Sequence, residues 1–331
     1  MTLNANRGIR LGASGGTISL TSGSTILTIP GNISGPGGLT KSGPNNLTLS
    51  GSNTFAGDFA ITGGGIRFNS DLAAGLGRII VTPASIITLR NLSPTITSTV
   101  TNPMTLNANG GFDIDLTAAV GNTFTLSGPI SGPGYMTRGR ATGASGTVVL
   151  SGDNSAWSGG LYLQRGIIAL GNKNALGSAP FQITSQTNAS PEAVSVQATV
   201  ALTGASAIPT TVIINTNFTM GGTLDLEFAG PIIISNTTRT VTVTNNSVFS
   251  GVVSSDAGAG LVKAGAGTLT LAAANTYSGN TTVDGGTLRL ANLTGSATGT
   301  GTVTINPGGR LAGNGTIAGA VVVNGTISPG N

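Results

Sequence analysis

The chain has 331 residues, of which 54 are glycine and 14 are proline, while only 7% are charged and 4% are aromatic. With 38% hydrophobic residues and a formal net charge of +4, it lacks the low hydrophobicity and high net charge of a disordered chain. It contains no cysteine and no histidine, which excludes disulfides, thiolate chemistry and the commonest transition-metal ligand. The composition therefore predicts a core spread along many short strands that are separated by glycine-rich turns.

The charged and apolar residues also limit the partners. Lysine and arginine are scattered from Arg7 to Arg310, and only Arg138 and Arg140 form a tight pair. Because nucleic-acid binding requires basic residues clustered on one face, we expect no nucleic-acid partner. A membrane-spanning helix needs about 18 or more consecutive apolar residues. The sequence contains no such run, so we expect this segment not to insert into a membrane.

Three short segments recur in the same order along the chain, as expected of a repeat protein. The first is MTLNANRG, the second is ISGPGGLTKSG and the third is LTLSGSNTFAGD. The copies are Met1–Gly8 with Met104–Gly111, Ile33–Gly43 with Ile130–Arg140 and loosely Ala257–Gly267, and Leu47–Asp58 with Val148–Gly160 and Leu269–Asn280.

These copies predict one continuous structure over residues 1–331, made of three divergent repeats at approximately 1–103, 104–204 and 205–331. The segment at Met1 also occurs inside the chain, at Met104. We therefore expect the sequence to be a piece of a longer chain.

Pairs of apolar anchors recur within each copy at nearly constant spacing. The two members of a pair lie about 20 residues apart in every copy, and the pairs are Leu49 with Phe68, Leu150 with Leu170, and Leu271 with Leu290. Around them apolar and polar residues alternate, which is typical of strands with one buried face. The spacing predicts an all-β solenoid with coils of about 20–24 residues, in which these six anchors form a stacked core.

Each repeat also places an asparagine and an aromatic residue in a predicted turn. The three pairs are Asn53 with Phe55, Asn154 with Trp157, and Asn275 with Tyr277. One interpretation is a platform on which sugar rings stack. The other is a structural turn position, in which each ring covers the corner of its coil and the asparagine bonds to the turn backbone. Recurrence in every copy favours the structural interpretation.

The segment GLVKAGAGTLTLAAANTYSGNTTVDGGTLRL (Gly260–Leu290) resembles the passenger-associated transport repeat of bacterial autotransporter proteins. Leu39–Phe68 and Arg138–Leu170 are weaker copies of it. The tail Gly308–Asn331 is similar to the segment that commonly follows this repeat. The resemblance implies a right-handed parallel β-helix and secretion, in a family whose passengers serve as adhesins, as stalks and occasionally as supports for an enzyme domain.

Two pairs of carboxylates could belong to an enzyme. Asp113 with Asp115, and Asp225 with Glu227, are each two residues apart on a predicted strand, and carboxylate clusters can act as general acids and bases or hold calcium. The first repeat has Arg10 where the second has Asp113, so the carboxylate pair is not repeated between the copies. We therefore expect no catalytic, cofactor-binding or metal-binding residues.

The sequence therefore predicts a non-enzymatic structural or adhesive segment, either a stalk or an adhesin passenger. Two alternatives remain: a subunit of a self-assembling extracellular filament, formed by head-to-tail stacking of β-helices, and a polysaccharide-active β-helix enzyme. The expected partners are other copies of the chain, through end-to-end or lateral association, and a host or matrix surface. The expected location is extracellular, at the surface of a Gram-negative bacterium.

Overall fold

The structure, a computed structural model, describes residues 1–21, 26–82, 87–90, 98–107, 112–115, 122–139, 146–185, 194–256 and 258–330. Of residues 87–90 and 112–115 it describes the strand backbone. The chain divides into two compact units, Met1–Ile168 with Ala175–Ala179, and Ala169–Asn174 with Pro180–Asn331. Within the described ranges both units are made of short β-strands, and the helical structure there is one 3-10 turn at Gly204–Ser206.

The first unit is built from strands of two to four residues, and a further strand, β19, lies where the chain passes from one unit to the other. These strands are β1 Ile9–Arg10, β2 Gly16–Ser19, β3 Leu27–Ile29, β4 Ile33–Ser34, β5 Leu39–Ser42, β6 Leu47–Leu49, β7 Phe59–Ile61, β8 Gly65–Phe68, β9 Ile79–Val81, β10 Ile87–Arg90, β11 Ser98–Val100, β12 Met104–Leu106, β13 Phe112–Asp115, β14 Thr123–Leu126, β15 Ile130–Ser131, β16 Met136–Arg138, β17 Thr147–Leu150, β18 Leu161–Leu163 and β19 Gly166–Leu170.

The second unit is built in the same way, from strands of three to five residues. They are β20 Phe181–Ile183, β21 Val194–Ala198, β22 Val212–Ile214, β23 Phe218–Met220, β24 Leu226–Phe228, β25 Ile232–Ile234, β26 Arg239–Val243, β27 Asn246–Phe249, β28 Val253–Ser255, β29 Leu261–Ala264, β30 Thr268–Leu271, β31 Thr281–Val283, β32 Gly286–Leu290, β33 Val303–Ile305, β34 Gly309–Gly313, β35 Val321–Val323 and β36 Thr326–Pro329.

In each unit, strands that follow one another along the chain lie in different sheets, and each strand pairs with the strand one coil away. The first unit has three long ladders, in the orders β3-β6-β8-β10-β13-β16-β18, β2-β5-β7-β9-β12-β15 and β11-β14-β17, and the short pair β1-β4. The second unit also has three ladders, in the orders β20-β22-β25-β28, β21-β23-β26-β29-β31-β33-β35 and β24-β27-β30-β32-β34-β36. The strand pairs whose register is described are parallel, as in β30 with β32. The all-β parallel solenoid predicted from the sequence is confirmed.

The residue offset between paired strands gives the length of a coil. Among the pairs whose register is described, the offset is smallest from Leu311 to Ile327 and largest from Phe181 to Val212. The predicted coil length of about 20–24 residues lies between these two extremes. Coils differ in length because corner loops absorb extra residues without disturbing the strand register. The longest of these coils carries the 3-10 turn.

The core forms because alternating residues of each strand point inward and stack on the equivalent residues of the next coil. In β30, Leu269 and Leu271 are fully buried, whereas Thr270 between them is half-buried. Leu288 and Leu290 of β32 lie in register with these two leucines. Burying a leucine side chain contributes roughly 1.5–3 kcal/mol, but only when a neighbouring coil covers it. Each coil therefore depends on its neighbours for stability.

Candidate functional site

The six predicted anchors are buried. Leu49 is paired in register with Phe68, and Leu271 with Leu290. Leu150 and Leu170 lie in different units, at the ends of β17 and β19, and each has no exposed surface.

The three corner asparagines make the same pair of hydrogen bonds. The Oδ1 atom of Asn53 accepts the backbone N–H of Ile33 at 2.8 Å, and its Nδ2 donates to the carbonyl of Ala73 at 2.6 Å. Ile33 lies one coil before the asparagine and Ala73 one coil after it. The same arrangement holds Asn154 between Ile130 and Ala175, and Asn275 between Val253 and Ala297. Each asparagine therefore joins three successive coils, which differs from the predicted bond within its own turn.

The three corner aromatics are completely buried. Phe55 packs edge-on against Phe59, with ring centroids 6.2 Å apart. The indole N–H of Trp157 donates to the carbonyl of Gly134 at 2.8 Å. The hydroxyl of Tyr277 lies 2.6 Å from that of Thr281, and burial raises its pKa. A sugar ring cannot stack on a face that solvent does not reach, so the sugar-platform interpretation does not apply to these rings.

A glycine with positive φ in the next coil lies against each corner aromatic residue. Gly75, at φ +73°, lies one coil beyond Phe55, and a Cβ added there would lie 2.5 Å from the Phe55 ring. Gly177 and Gly299 have the same relation to Trp157 and Tyr277, where a Cβ would meet the backbone carbonyl oxygen of the aromatic residue. Glycine is required here by both the backbone conformation and the close approach of two coils.

Lys41 and Lys263 form a second recurring position, which the sequence reasoning missed. Both side chains are fully buried. Each ammonium donates to three backbone carbonyls: Lys41 Nζ to Ser42, Gly43 and Gly63 at 2.7–3.0 Å, and Lys263 Nζ to Ala264, Gly265 and Gly285 at 2.8–3.0 Å. Burial lowers the pKa of each lysine to about 8.

The second repeat has Arg138 at the corresponding position. Its side chain is also buried, and its Nη2 donates to the carbonyl of Gly146 at 2.6 Å. The sequence feature that could have revealed this position is the recurrence of a basic residue there in all three copies. It was missed because charged residues are ordinarily expected at the surface.

The carboxylates do not form a catalytic arrangement among the described side chains. Asp225 is exposed just before β24, and Glu227 lies within β24. Both oxygens of Glu227 are engaged, one by the backbone N–H of Gly204 at 2.8 Å and the other by the hydroxyl of Ser250. The side chains of Asp113 and Asp115 lie outside the described residues.

The described part of the chain offers no candidate metal site and no candidate membrane-spanning helix. It contains no group of three or more aspartate, glutamate, cysteine or histidine residues placed to hold a metal ion. It also contains no helix with the length and apolar character needed to cross a membrane.

The sequence of the chain is similar to known proteins in two comparisons. The model of the passenger-associated-transport-repeat matches residues 39–67, 142–170 and 261–290. The chain is also similar to the adhesin BmaC autotransporter of Brucella suis biovar 1 (strain 1330). The identity is 32% over an alignment 358 positions long, which spans all of this chain and 9% of that relative. The chain thus spans less than a tenth of this relative's length. No solved structure matches. The six residues of the asparagine–aromatic corners lie within these matched segments, so the three matches to the passenger-associated transport repeat coincide with the three recurring corners of the fold.

Proposed function

We propose that this chain is a non-enzymatic structural and adhesive segment of an autotransporter passenger, displayed outside a Gram-negative cell. The observation that carries the proposal is the triple occurrence of the transport repeat within a parallel solenoid. Similarity over the whole chain to a relative named as an adhesin supports the adhesive part.

The corner residues support the structural part of the proposal. We infer that Asn53, Asn154 and Asn275, with their aromatic neighbours, are structural turn positions that fix one coil against the next. Their hydrogen-bonding groups are engaged by backbone atoms and their rings are buried, so they offer no surface to a ligand. In this arrangement the outward faces of the strands, where threonine is common, are available to a ligand.

The absence of cysteine is compatible with export, as it is with a cytosolic protein. A passenger must cross a membrane before it folds, and premature disulfides would obstruct that passage. The sequence contains no cysteine, so no disulfide can form on the way.

The experiment that tests adhesion uses beads coated with the 331-residue chain. We expect such beads to adhere to host cells or matrix-coated glass more than beads coated with a Leu269→Lys/Leu271→Lys variant, in which two charges replace inward residues of β30. The variant has nearly the same composition but cannot stack that coil. Equal adhesion by both preparations would contradict an adhesive role for the folded surface.

A cleavage assay separates this proposal from the polysaccharide-active enzyme. The wild-type chain and an Asp113→Asn/Asp115→Asn/Asp225→Asn/Glu227→Gln variant are incubated with acidic polysaccharides, and new reducing ends are counted. We expect no increase above buffer with either protein. Cleavage by the wild type that the fourfold variant lacks would overturn the non-enzymatic assignment.

A further inference from the structure

A polar trough runs across the outward face of β27, β30, β32 and β34 in the second unit. Two residue rows form its floor, because in-register residues of parallel strands point to the same side. One row is Val248, Thr270, Arg289 and Ala312, and the other is Asn246, Thr268, Thr287 and Arg310.

The trough consists of two adjoining depressions. Its deeper part has a volume of about 510 Å³ and includes both arginines. A second depression of about 450 Å³ adjoins it and shares Asn246 and Thr268 with it. The two depressions together form one open, elongated surface instead of a closed pocket. Such a surface suits a chain-like ligand better than a small molecule, which is usually enclosed.

The two arginines are diagonal neighbours on adjacent strands. Arg310 of β34 is opposite Thr287, and Arg289 of β32 is opposite Ala312. Strand spacing and rise place their Cα atoms roughly 8 Å apart. Arg310 is exposed and Arg289 is half-buried. A guanidinium group binds a carboxylate or sulfate through two parallel N–H donors, so the pair can contact two successive anionic groups of a polymer.

The acidic and the basic residues of this face lie at its opposite ends. Glu227 occupies the first row at its far end, on β24, where its oxygens accept from Gly204 and Ser250. Asp225 lines the second depression. The β32–β34 end is therefore positive, and threonine and asparagine side chains that can donate and accept hydrogen bonds lie between the two ends.

We propose that this trough binds an acidic polysaccharide, with Arg289 and Arg310 contacting its anionic groups and the threonine rows contacting its hydroxyls. The inference rests on the proposed adhesive function and gives it a ligand class. Most residues that line the deeper part are polar, with Val248 and Ala312 as its aliphatic members, so it suits a hydroxyl-rich ligand better than an apolar peptide.

The test measures binding of the 331-residue chain to hyaluronan, which carries carboxylates, to heparin, which also carries sulfates, and to neutral dextran. We expect binding to at least one acidic polymer, weakening as salt is added, and none to dextran. The two acidic polymers distinguish carboxylate from sulfate recognition.

Two double variants with the same change in net charge locate the site. Arg289→Gln/Arg310→Gln should weaken binding about tenfold or more, because hydrogen bonds to charged groups are lost. Arg7→Gln/Arg10→Gln removes two exposed arginines from the first unit and should change binding less than about twofold. The single variant Arg310→Gln, at an exposed side chain, keeps the test valid if the double variant does not fold.

Equal losses in the two double variants would overturn the proposal, because binding would then follow net charge alone. Failure of the wild type to bind either acidic polymer would also overturn it. If coated beads still adhere in that case, only the trough assignment fails and the adhesive proposal stands.

Discussion

Asn53, Asn154 and Asn275 each bond to backbone groups of the coils before and after their own. An asparagine amide can do this because it carries an acceptor and two donors at the end of a short side chain. Recurrence in the sequence was enough to select these residues. Their bonding partners lie 20–24 residues away, and the coil register that brings them near cannot be read from a local turn pattern.

Replacing Asn275 by alanine should destabilise the fold strongly. The change leaves the backbone N–H of Val253 and the carbonyl of Ala297 buried without that partner, at a cost of about 2–4 kcal/mol in the free energy of unfolding. Asn280→Ala is the matched control, because Asn280 is exposed and accepts one bond, from Thr302. Urea denaturation of the two variants measures the difference, and equal costs would contradict the bridging role.

The buried lysines should make stability depend on pH. The pKa of Lys41 and Lys263 is lowered from 10.5 to about 8 in the folded chain. Between pH 8 and 10.5 the unfolded chain binds more protons than the folded chain at these sites, so their contribution to stability rises with pH. The burial of Tyr277, which raises its pKa, has the opposite effect above its ordinary value of 10.

We therefore expect the urea midpoint to rise between about pH 7.5 and 9.5. The control is Lys41→Met/Lys263→Met, in which this rise should be absent whatever its absolute stability. A midpoint that falls over the same range would show that the three carbonyls stabilise each ammonium group more than burial destabilises it. The same rise in the control would show that groups other than the two lysines cause it.

At the scale of the element, Gly75 and the ring of Phe55 show how closely two successive coils approach at a corner. Gly75→Ala would place a Cβ 2.5 Å from Phe55 at a φ of +73°, so it combines a clash with backbone strain. Gly204→Ala is the control for backbone strain without a clash, because Gly204 has φ +57° and no atom lies within 4 Å of the added Cβ. We expect Gly204→Ala to cost about 1–2 kcal/mol and Gly75→Ala clearly more. Thermal unfolding checks the order, and equal costs would contradict close coil packing at this corner.

The inward and outward alternation of each strand was predictable, because it depends on residues two apart. The anchors Leu271 and Leu290 illustrate this, since their neighbours already alternate in the sequence. The rows on the outward face were not predictable in the same way. The offset from β30 to β32 is several residues shorter than the offset from β32 to β34, so a fixed period would have paired Arg310 with Ala291 instead of Thr287.

At the scale of the whole molecule, the isolated 331-residue polypeptide has an incompletely covered coil. Val303 and Ile305 are fully buried, whereas their in-register partners Val321 and Val323 are 40% and 47% exposed. The unpaired backbone groups of an exposed apolar edge strand can form hydrogen bonds with a strand of another chain.

We therefore expect this polypeptide to associate in a concentration-dependent way, and sedimentation velocity measures it. Val323→Lys should reduce the association, since a charge on an edge strand opposes pairing. A stable monomer at high concentration would refute the prediction.

The most direct test of the account is whether the segment lies folded outside the cell. The chain, with an epitope inserted in it, is produced in a Gram-negative host upstream of an autotransporter translocation barrel, and intact and lysed cells are labelled with antibody. We predict that intact cells label as strongly as lysed cells, and that the Leu269→Lys/Leu271→Lys variant is digested by external protease much faster than the wild type. Labelling that appears only after lysis would contradict the assignment of this chain as a surface passenger segment.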